Sequence, residues 1–408
     1  MRITEIGINL TLRGRILNRR RMGRASFYEL LVDGDTVQLF ANTSVDGYEE
    51  LLSLPAGTFI SATGETFITR TGHNTLRVES FSILHIPIRS LPIVRNDGES
   101  VYNGIVDPET IRRRRYLQTI VDSNERETFI TRSRLISLIR RTFEELNYME
   151  VETPILQPIY GGAEATPFIT HHEALDSDFY LRIAPELYLR RMIIGGYERV
   201  FEIGRNFRNE GISNRHNPEF TVIEAYAAFE DYTFSMNIIE DLISRISNEF
   251  GSIFTFGDNE INLSEIRRVR FRDIVSEVCG VDVSEMEDTR IVELFEEEVE
   301  TSLMNPTIVY DYPSIISPLA LPREDDSTTA ERFELFIGGM EIGNAYSELN
   351  DVSIHIENVG TDDADFIEAL EFGMPPTTGI GIGIDRLVMI LTNRNIRDVI
   401  FFPSMRRL

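Results

Sequence analysis

The sequence predicts an α+β protein of two domains. A small β-barrel comes first, and a larger domain follows, built on a mostly antiparallel sheet flanked by helices. Three observations carry this expectation. The chain has 408 residues, more than a single core usually serves. Residues 1–92 break into short runs alternating apolar and polar positions between turn signals, the period-two pattern of half-buried strands. Beyond them, strands and helices mix without the strict alternation that a doubly wound parallel sheet requires.

The expected barrel strands are Ile8–Arg13, Arg15–Leu17, Ser26–Val32, Thr36–Ala41, Thr58–Thr66 and Thr75–Ile86. Asp33–Gly34–Asp35, Pro55–Ala56–Gly57 and Thr71–Gly72–His73–Asn74 separate them as turns. Five or six strands with few helices fit a barrel of the oligonucleotide-binding (OB) kind. A polar stretch from Leu91 to Pro108, broken by Pro92, Asp97–Gly98 and Pro108 itself, reads as a linker. The domains are therefore set at 1–92 and 126–408, with a linker over 93–125.

The basic run Arg112–Arg115 is expected to begin a helix. A second helix is expected over Arg132–Leu146, where Leu135, Ile136, Leu138, Ile139, Phe143 and Leu146 fall at helical spacing. Glu150–Pro154 ends in an extended segment. Glu186 lies near a strand-to-helix junction, and strands are expected at Val200–Ile203 and Glu219–Ala227. Glu285–Glu300 reads as an acidic helix with a solvated face, and Glu334–Glu348 as a strand pair. Glycine and isoleucine alternate over Gly379–Ile384, leading into a helix that Asp385 would cap and from whose first turn Arg386 would project.

Composition narrows the function classes. Hydrophobic content is 42%, and no apolar run approaches the roughly eighteen residues that a membrane span needs. No signal peptide opens the chain, and the single cysteine, Cys279 in an apolar setting, excludes an intrachain disulfide. A reducing, cytoplasmic location is the expectation. The net charge is −26, and all 40 basic residues are arginine. On the order of twenty lysines would be ordinary for this length, so lysine has been excluded, by design or by selection on composition. Residues 1–90 carry 10 Arg against 9 acids; the remaining 318 carry 30 against 57. A nucleic-acid partner would therefore meet the first domain, at Arg13, Arg15, Arg19, Arg20, Arg21 and Arg24. A solvated basic face explains that cluster equally well.

The densest chemistry lies in residues 201–226, FEIGRNFRNEGISNRHNPEFTVIEAY. Two strands rich in β-branched and aromatic residues aim a loop of arginines, asparagines, a glutamate and a histidine at one place. Such a tip suits a polyanion such as a nucleoside triphosphate. A solvated hairpin turn accounts for Gly211 and Asn217–Pro218, but not for the arginines. By the period of two, Phe220, Glu224 and Tyr226 share one strand face, and Asn344, Tyr346 and Glu348 share another. Two acids and two tyrosines on adjacent strands make a pocket suited to a cation, though an exposed strand face carries such residues as well. The glycine face of 379–383 leaves room for a planar ligand, or for close packing alone.

Together these segments resemble the class II lysyl-tRNA synthetases along nearly the whole chain. Thr131–Pro154 is similar to the family's dimer-forming first motif, FRNEGISNRHNPEF at Phe207–Phe220 to the second, and GIGIGIDRL at Gly379–Leu387 to the third. GGAEATPFITHHEALDSDFYLRIAPELYL and FIGGMEIGNAYSELND are nearly as distinctive, and MGRASFYELL and VQLF resemble the anticodon-binding barrel.

The resemblance implies ATP-dependent activation of L-lysine to lysyl-adenylate and its transfer to the 3′ end of lysine tRNA, by a homodimer. Arg208 would bridge the substrate carboxylate and the α-phosphate, and Arg386 would hold the γ-phosphate. Glu210, His216, Asn217 and Phe220 would hold ATP, with Phe220 against adenine, while Glu334 and Glu341 would carry Mg²⁺ on the phosphates. Gly162 and Glu186 would take the α-amino group and Asn344 the carboxylate. Glu348 and Tyr226, with Glu224 assisting and Tyr346 beside them, would take the side-chain ammonium. In the barrel, Phe27 would stack an anticodon base while Gln38 and Arg20 read or hold its neighbours. Without the resemblance, Phe27 reads as a core aromatic.

Some positions depart from the family. The stretches before Thr307 and after Asp351 are shorter than usual, and Ala345 and Tyr346 stand where glycine and phenylalanine are common. Competing expectations are an aminoacylase acting on a non-tRNA acceptor, a composition-restricted homologue with weak or lost catalysis, and a sister aspartate or asparagine enzyme.

Overall fold

The computed structural model describes residues 3–89, 91–92, 95–96, 101–102, 105, 107–359 and 363–407. The Asp97–Gly98 break of the expected linker lies outside these residues. The chain forms two compact units, residues 1–127 and 128–408.

In the first unit, β1 (Asn9–Met22), β2 (Ala25–Val32), β3 (Asp35–Asn42), β4 (Phe59–Ile68) and β5 (Asn74–His85) close into a barrel of order β1-β2-β3-β5-β4. The helix α1 (Tyr48–Ser53) lies between β3 and β4. Leu12, Ile16, Tyr28, Leu30, Leu39, Ile60 and Leu76 fill the interior. The two strands expected before Leu17 are one continuous strand. Gly14 does not break it, because there β1 runs too close to β2 for a side chain. A Cβ at Gly14 would strike the Leu31 carbonyl oxygen. Past the barrel, the basic run Arg112–Arg115 is a junction of two helices: Arg115–Val121 begins at its last residue, and another helix runs into its start. That helix, Pro108–Arg113, is started by Pro108 and capped by the Asp107 carboxylate on the Thr110 N–H at 2.8 Å.

The second unit is built on an eight-stranded sheet. Its strands are β6 (Met149–Glu150), β7 (Arg199–Phe207), β8 (Glu219–Ala228), β9 (Arg267–Arg270), β10 (Thr307–Pro313), β11 (Thr329–Phe336), β12 (Glu341–Ser347) and β13 (Thr377–Gly383). They lie in the order β9-β10-β11-β12-β13-β8-β7-β6, antiparallel except for the outermost pair at each edge. Helices cover one face: α2 (Ser123–Glu145), α4 (Tyr232–Phe250) and α6 (Ile384–Thr392). There Ile223, Ala225, Ile342, Ala345, Ile380 and Ile382 pack against Ile239, Leu242, Ile243 and Val388 in one core. Each Ile, Leu or Val among them contributes about 1.5–3 kcal/mol on burial. The opposite face carries the polar partners of the same alternation; at one end Val200, Tyr226 and Ala228 pack there against Leu189, Ile193 and Phe366, and beside them the face opens into a cavity.

Two further expectations need correction. The α2 helix starts nine residues before Arg132, at Ser123. Only part of 285–300 is regular helix: Asp288–Leu294 runs into a π-helical turn, Phe295–Val299. That segment is not merely a solvated face, because Ile291, Phe295 and Val299 are buried against Phe271, Ile274 and Tyr312.

Asp385 does not cap α6. It lies inside the helix and faces Arg132 of α2, and it accepts the Thr221 N–H of β8 at 2.7 Å. Arg132 also donates to the Thr221 hydroxyl at 2.8 Å and to the Val399 carbonyl at 3.2 Å. This buried pair ties α2, β8, α6 and the C-terminal segment together, and sets where Arg386 emerges. Removing one partner of such a pair typically costs about 3–5 kcal/mol, because the other is left buried and charged. Asp385→Ala should therefore lower the stability of residues 128–408 by about that amount; calorimetric melts of the substrate-free chain check it.

Candidate active site

The open face of the sheet forms one cavity of about 580 Å³. Strand pairing explains why it is polar. Gly381 of β13 lies between Glu224 of β8 and Asn344 of β12, and Gly379 lies between Tyr226 and Tyr346. The central strand thus presents only backbone, while both neighbours lean their side chains over it. A Cβ at Gly379 would collide with the Glu348 carboxylate and the Tyr226 ring, whereas at Gly381 its nearest neighbour would be Glu224 Cγ at 3.7 Å. So Gly379 is needed by the protein's own packing, while Gly381 leaves open space above the sheet.

The cavity lining brings together Gly162, Glu186, Arg208, Glu210, His216, Asn217, Phe220, Glu224, Tyr226, Glu334, Glu341, Asn344, Tyr346 and Arg386. Of the residues expected here, only Glu348 does not line it. Its side chain is fully buried behind Gly379 and Tyr226. Arg20, Phe27 and Gln38 belong to the barrel and have no part in this site.

The loop between β7 and β8 is not a loose turn. Arg208 N–H donates to the Pro218 carbonyl at 2.9 Å, Asn209 N–H to Thr166 at 2.8 Å, and the Arg215 guanidinium to the Gly339 carbonyl at 2.9 Å. The Arg208 guanidinium sits over the Phe220 ring at 5.3 Å, leaving a flat aromatic and a cation at one mouth of the cavity. At the same end, Arg386 lies 3.3 Å from the Glu341 carboxylate and 3.5 Å from His216 Nε2. Partial burial, then the Arg386 charge, lowers the His216 pKa. The cations facing an anion here are therefore guanidinium groups.

At the other end, the Tyr346 hydroxyl donates to Glu186 Oε2 at 2.9 Å. Gly162, at φ 81°, lets its loop approach until a Cβ would lie 2.9 Å from Glu186 Cβ, a backbone shape that glycine adopts without strain. Both oxygens of Glu348 are buried without a hydrogen-bond donor, and Asn344 Oδ1 and Arg208 Nε are also unpartnered. Buried polar atoms are ordinarily satisfied, so their concentration here marks a place built to meet a ligand.

Burial, first, and the charge of Glu186 push the Glu224 carboxyl up to about 8. Glu348 and Glu186 are raised in the same direction by burial. Glu334 is raised by burial and by Glu341, against the nearby Arg332; the Tyr312 hydroxyl donates to it at 3.0 Å. Among the described residues, no three His, Cys, Asp or Glu side chains cluster as a metal cage. Glu334 and Glu341 supply two carboxylates with a shared repulsion that a divalent cation would relieve.

Sequence reasoning missed three arginines: Arg190 behind Glu186, Arg332 beside Glu334, and Arg182, which is buried against Glu202. Arg190 was legible as the i+4 partner of Glu186, and Arg332 as a same-face neighbour of Glu334 on β11. In the barrel, alternation places Tyr28 and Leu30 inside and Phe27 outside. The core-aromatic reading of Phe27 is thus overturned. Its ring lies 5.2 Å from Phe40, which in turn lies 6.0 Å from Phe67, while Gln38 accepts from the Thr75 hydroxyl at 2.8 Å and Arg20 is exposed.

An OB-like barrel and a glycine-floored antiparallel sheet, with guanidiniums at one end of its cavity and carboxylates at the other, fit a synthetase of the second class. The chain belongs to the tRNA synthetases class II (D, K and N), whose family model matches residues 107–406. Within that family it falls among the lysine–tRNA ligases. It is 42% identical to the lysine–tRNA ligase of Bacillus subtilis over 448 aligned positions, covering 99% of this chain and 88% of that one. It is 41% identical to that of Dichelobacter nodosus (97% and 87% covered) and 40% to that of Pectobacterium atrosepticum (99% and 88%). The 448-position alignment is longer than the 408-residue chain, so the Bacillus protein has stretches with no counterpart here. Among the described residues, no helix is long and apolar enough to cross a membrane.

The pKa of Glu224 yields a stability prediction. In the folded chain it binds a proton between about 4.5 and 8 that the unfolded chain does not, so stability falls as pH rises through that window and levels off above it. Melting curves from about pH 5 to 9 should show a fall in wild type that is shallower in Glu224→Gln, by up to about 1 kcal/mol per pH unit. Equal slopes would contradict the assignment.

Proposed function

We propose that the chain activates L-lysine with ATP to lysyl-adenylate and then passes the lysyl group to the 3′ end of its tRNA. One observation carries the choice of amino acid. Glu186 and Glu224 line the closed end of the cavity, Glu348 lies directly behind its wall, and both oxygens of Glu348 are buried without a donor. The side-chain ammonium of lysine supplies the donor and the charge. The relatives' names as lysine–tRNA ligases support the same reading.

In this reading, the lysine α-amino group meets Glu186 beside Gly162, and its carboxylate meets Asn344 and Arg208. The side chain runs along the glycine strand between Tyr226 and Tyr346 toward Glu348, with Glu224 alongside. ATP lies at the other end. Phe220 stacks the adenine, with Glu210, His216 and Asn217 around it, and Arg386 binds the γ-phosphate. A lysine carboxylate oxygen attacks the α-phosphorus in line, the bond to the bridging oxygen breaks, and pyrophosphate leaves. Arg208, between carboxylate and α-phosphate, draws the two anions together and stabilises charge on the pentacoordinate phosphorus. A ribose hydroxyl of the tRNA then attacks the mixed-anhydride carbonyl and releases AMP. Glu334 and Glu341 would hold Mg²⁺, which neutralises phosphate charge when bound. Two carboxylates suit an ion that keeps water and phosphate oxygens in most of its shell.

We infer three further properties. The barrel, residues 1–92, takes the anticodon, with Phe27 stacking a base and Arg20 and Gln38 beside it. The outward aromatic row supports this. The chain works as a homodimer through Thr131–Pro154; the exposed Ile130, Met149 and Ile155 in and beside that segment support it. The cytoplasm is its compartment, consistent with a single free cysteine.

Amino-acid-dependent ATP–pyrophosphate exchange should respond to lysine alone among the standard amino acids. Exchange with aspartate or asparagine, or none, would overturn the assignment. Glu348→Gln should raise the KM for lysine about 10- to 100-fold, the loss expected of a charged hydrogen bond, with the ATP KM little changed. Phe27→Ala should raise the KM for tRNA about 5- to 100-fold through lost stacking, leaving exchange intact.

A further inference from the structure

Arg190 has no place in the reaction as derived above, yet among the described residues it is the most enclosed cation, with a side chain of 0% exposure. It sits one turn after Glu186 on α3 (Glu186–Ile194). Its Nη1 donates to Glu186 Oε1 at 3.1 Å and lies 3.3 Å from Glu348 Oε2. Its Nη2 donates to the Leu349 carbonyl at 2.6 Å, and the guanidinium stacks 5.0 Å from the Phe366 ring centre. A backbone carbonyl and an aromatic face thus hold the guanidinium still, Glu186 meets it from the cavity side, and Glu348 meets it from behind the cavity wall.

The remaining charges define what this achieves. Once ammonium groups draw off the protons that burial favours, Glu186, Glu224 and Glu348 bring three negative charges to the closed end, and Arg190 brings a positive charge behind them. Arg182 is committed to Glu202, and Arg208 stands at the far end with the reacting carboxylate. The slot is therefore two positive charges short. Lysine carries two ammonium groups, and an amino acid with an uncharged side chain carries one. Glu348 has no hydrogen bond from Arg190 or any other donor, so Arg190 gives it charge while leaving both oxygens free to accept.

We propose that Arg190 is a positioning residue for amino-acid selection: its single buried charge sets the deficit of the slot at two, the number that a diamino acid fills. The inference rests on the lysine reading of the site. Without Arg190 the deficit would be three, more than lysine neutralises, and Glu186 and Glu348, which Arg190 draws toward ionisation against their burial, would hold their protons more tightly and present fewer charges to the substrate. The ionisable groups facing Arg190 are Glu186, Glu348, Tyr226 and Tyr346 from the slot, and His355 from the helix Val352–Val359. The tyrosines are raised by burial and stay neutral, and His355 is lowered by burial and by Arg190. The two carboxylates therefore carry the response.

The test is ATP–pyrophosphate exchange by Arg190→Gln and Arg190→Lys between about pH 7 and 9, varying lysine and ATP separately. The acid limb of kcat/KM for lysine reports the free enzyme's carboxylates. For Arg190→Gln, the lysine KM should rise at least about tenfold at neutral pH and approach wild type at the alkaline end, with the ATP KM unchanged. Arg190→Lys, which keeps the charge, should stay within about threefold of wild type throughout. A Gln defect that is constant with pH, a parallel rise in the ATP KM, or a Lys variant as impaired as Gln would overturn the proposal. Thermal melts establish folding of each variant, and if Arg190→Gln does not fold, the folded Lys variant decides. Failure of the wild type to exchange with lysine would instead overturn the reading of the site.

Discussion

The site depends on one strand that carries no side chain on its open face. β13 lies at the middle of the sheet, paired on one side with β8 and on the other with β12. Because Gly379, Gly381 and Gly383 leave that face bare, Glu224 and Tyr226 can approach Asn344 and Tyr346 across a strand's width. Ile380 and Ile382 on the reverse face are buried in the core, so the bare face cannot slip to the helix side. A one-residue shift would put isoleucine into the cavity and glycine into the core, and the loss of apolar burial there fixes the register. The stability of the core and the emptiness of the cavity floor are two sides of one alternation.

On this floor the protein places charge against its own interest. Most of its net charge of −26 belongs to the larger unit, which nevertheless collects carboxylates at one end of the cavity and guanidiniums at the other. In the proposed reading Arg208, Arg215 and Arg386 serve the polyanion, and Glu186, Glu224 and Glu348 serve the ammonium groups. The cost is visible in carboxyl groups driven toward their protonated forms and in buried polar atoms without partners. Such strain is tolerated because the Arg132–Asp385 tie and the packed face of the sheet hold the frame around it.

Much of the site was legible because strand alternation is geometric. Phe220, Glu224 and Tyr226 shared a face by counting, as did Asn344, Tyr346 and Glu348, and the glycine–isoleucine alternation of β13 read correctly. What failed involved partners distant in sequence. Asp385 looked like a helix cap because local spacing offers it that role, but Arg132, 253 residues away, binds it instead. Strand β1 was divided between Arg13 and Arg15 because the proximity of Leu31 to Gly14 is not written in the local sequence. Phe27 could have been placed outside the barrel from Tyr28 and Leu30 alone, had the inward face been fixed first. That Glu348 lies behind the cavity wall, not on it, depends on the packing of Tyr226 over Gly379, which period-two counting does not reach.

The absence of lysine has a chemical consequence for a catalyst of this kind. An aminoacyl-adenylate is a mixed anhydride and a ready acyl donor, and the amine of a lysine side chain is the protein group best suited to intercept it. This chain has none. Its cations near the intermediate are guanidiniums, which stay protonated at any physiological pH and have no lone pair to offer. The enzyme thus makes an amine-seeking reagent within walls that contain no side-chain amine, and its own polypeptide is a poor target for the product it holds.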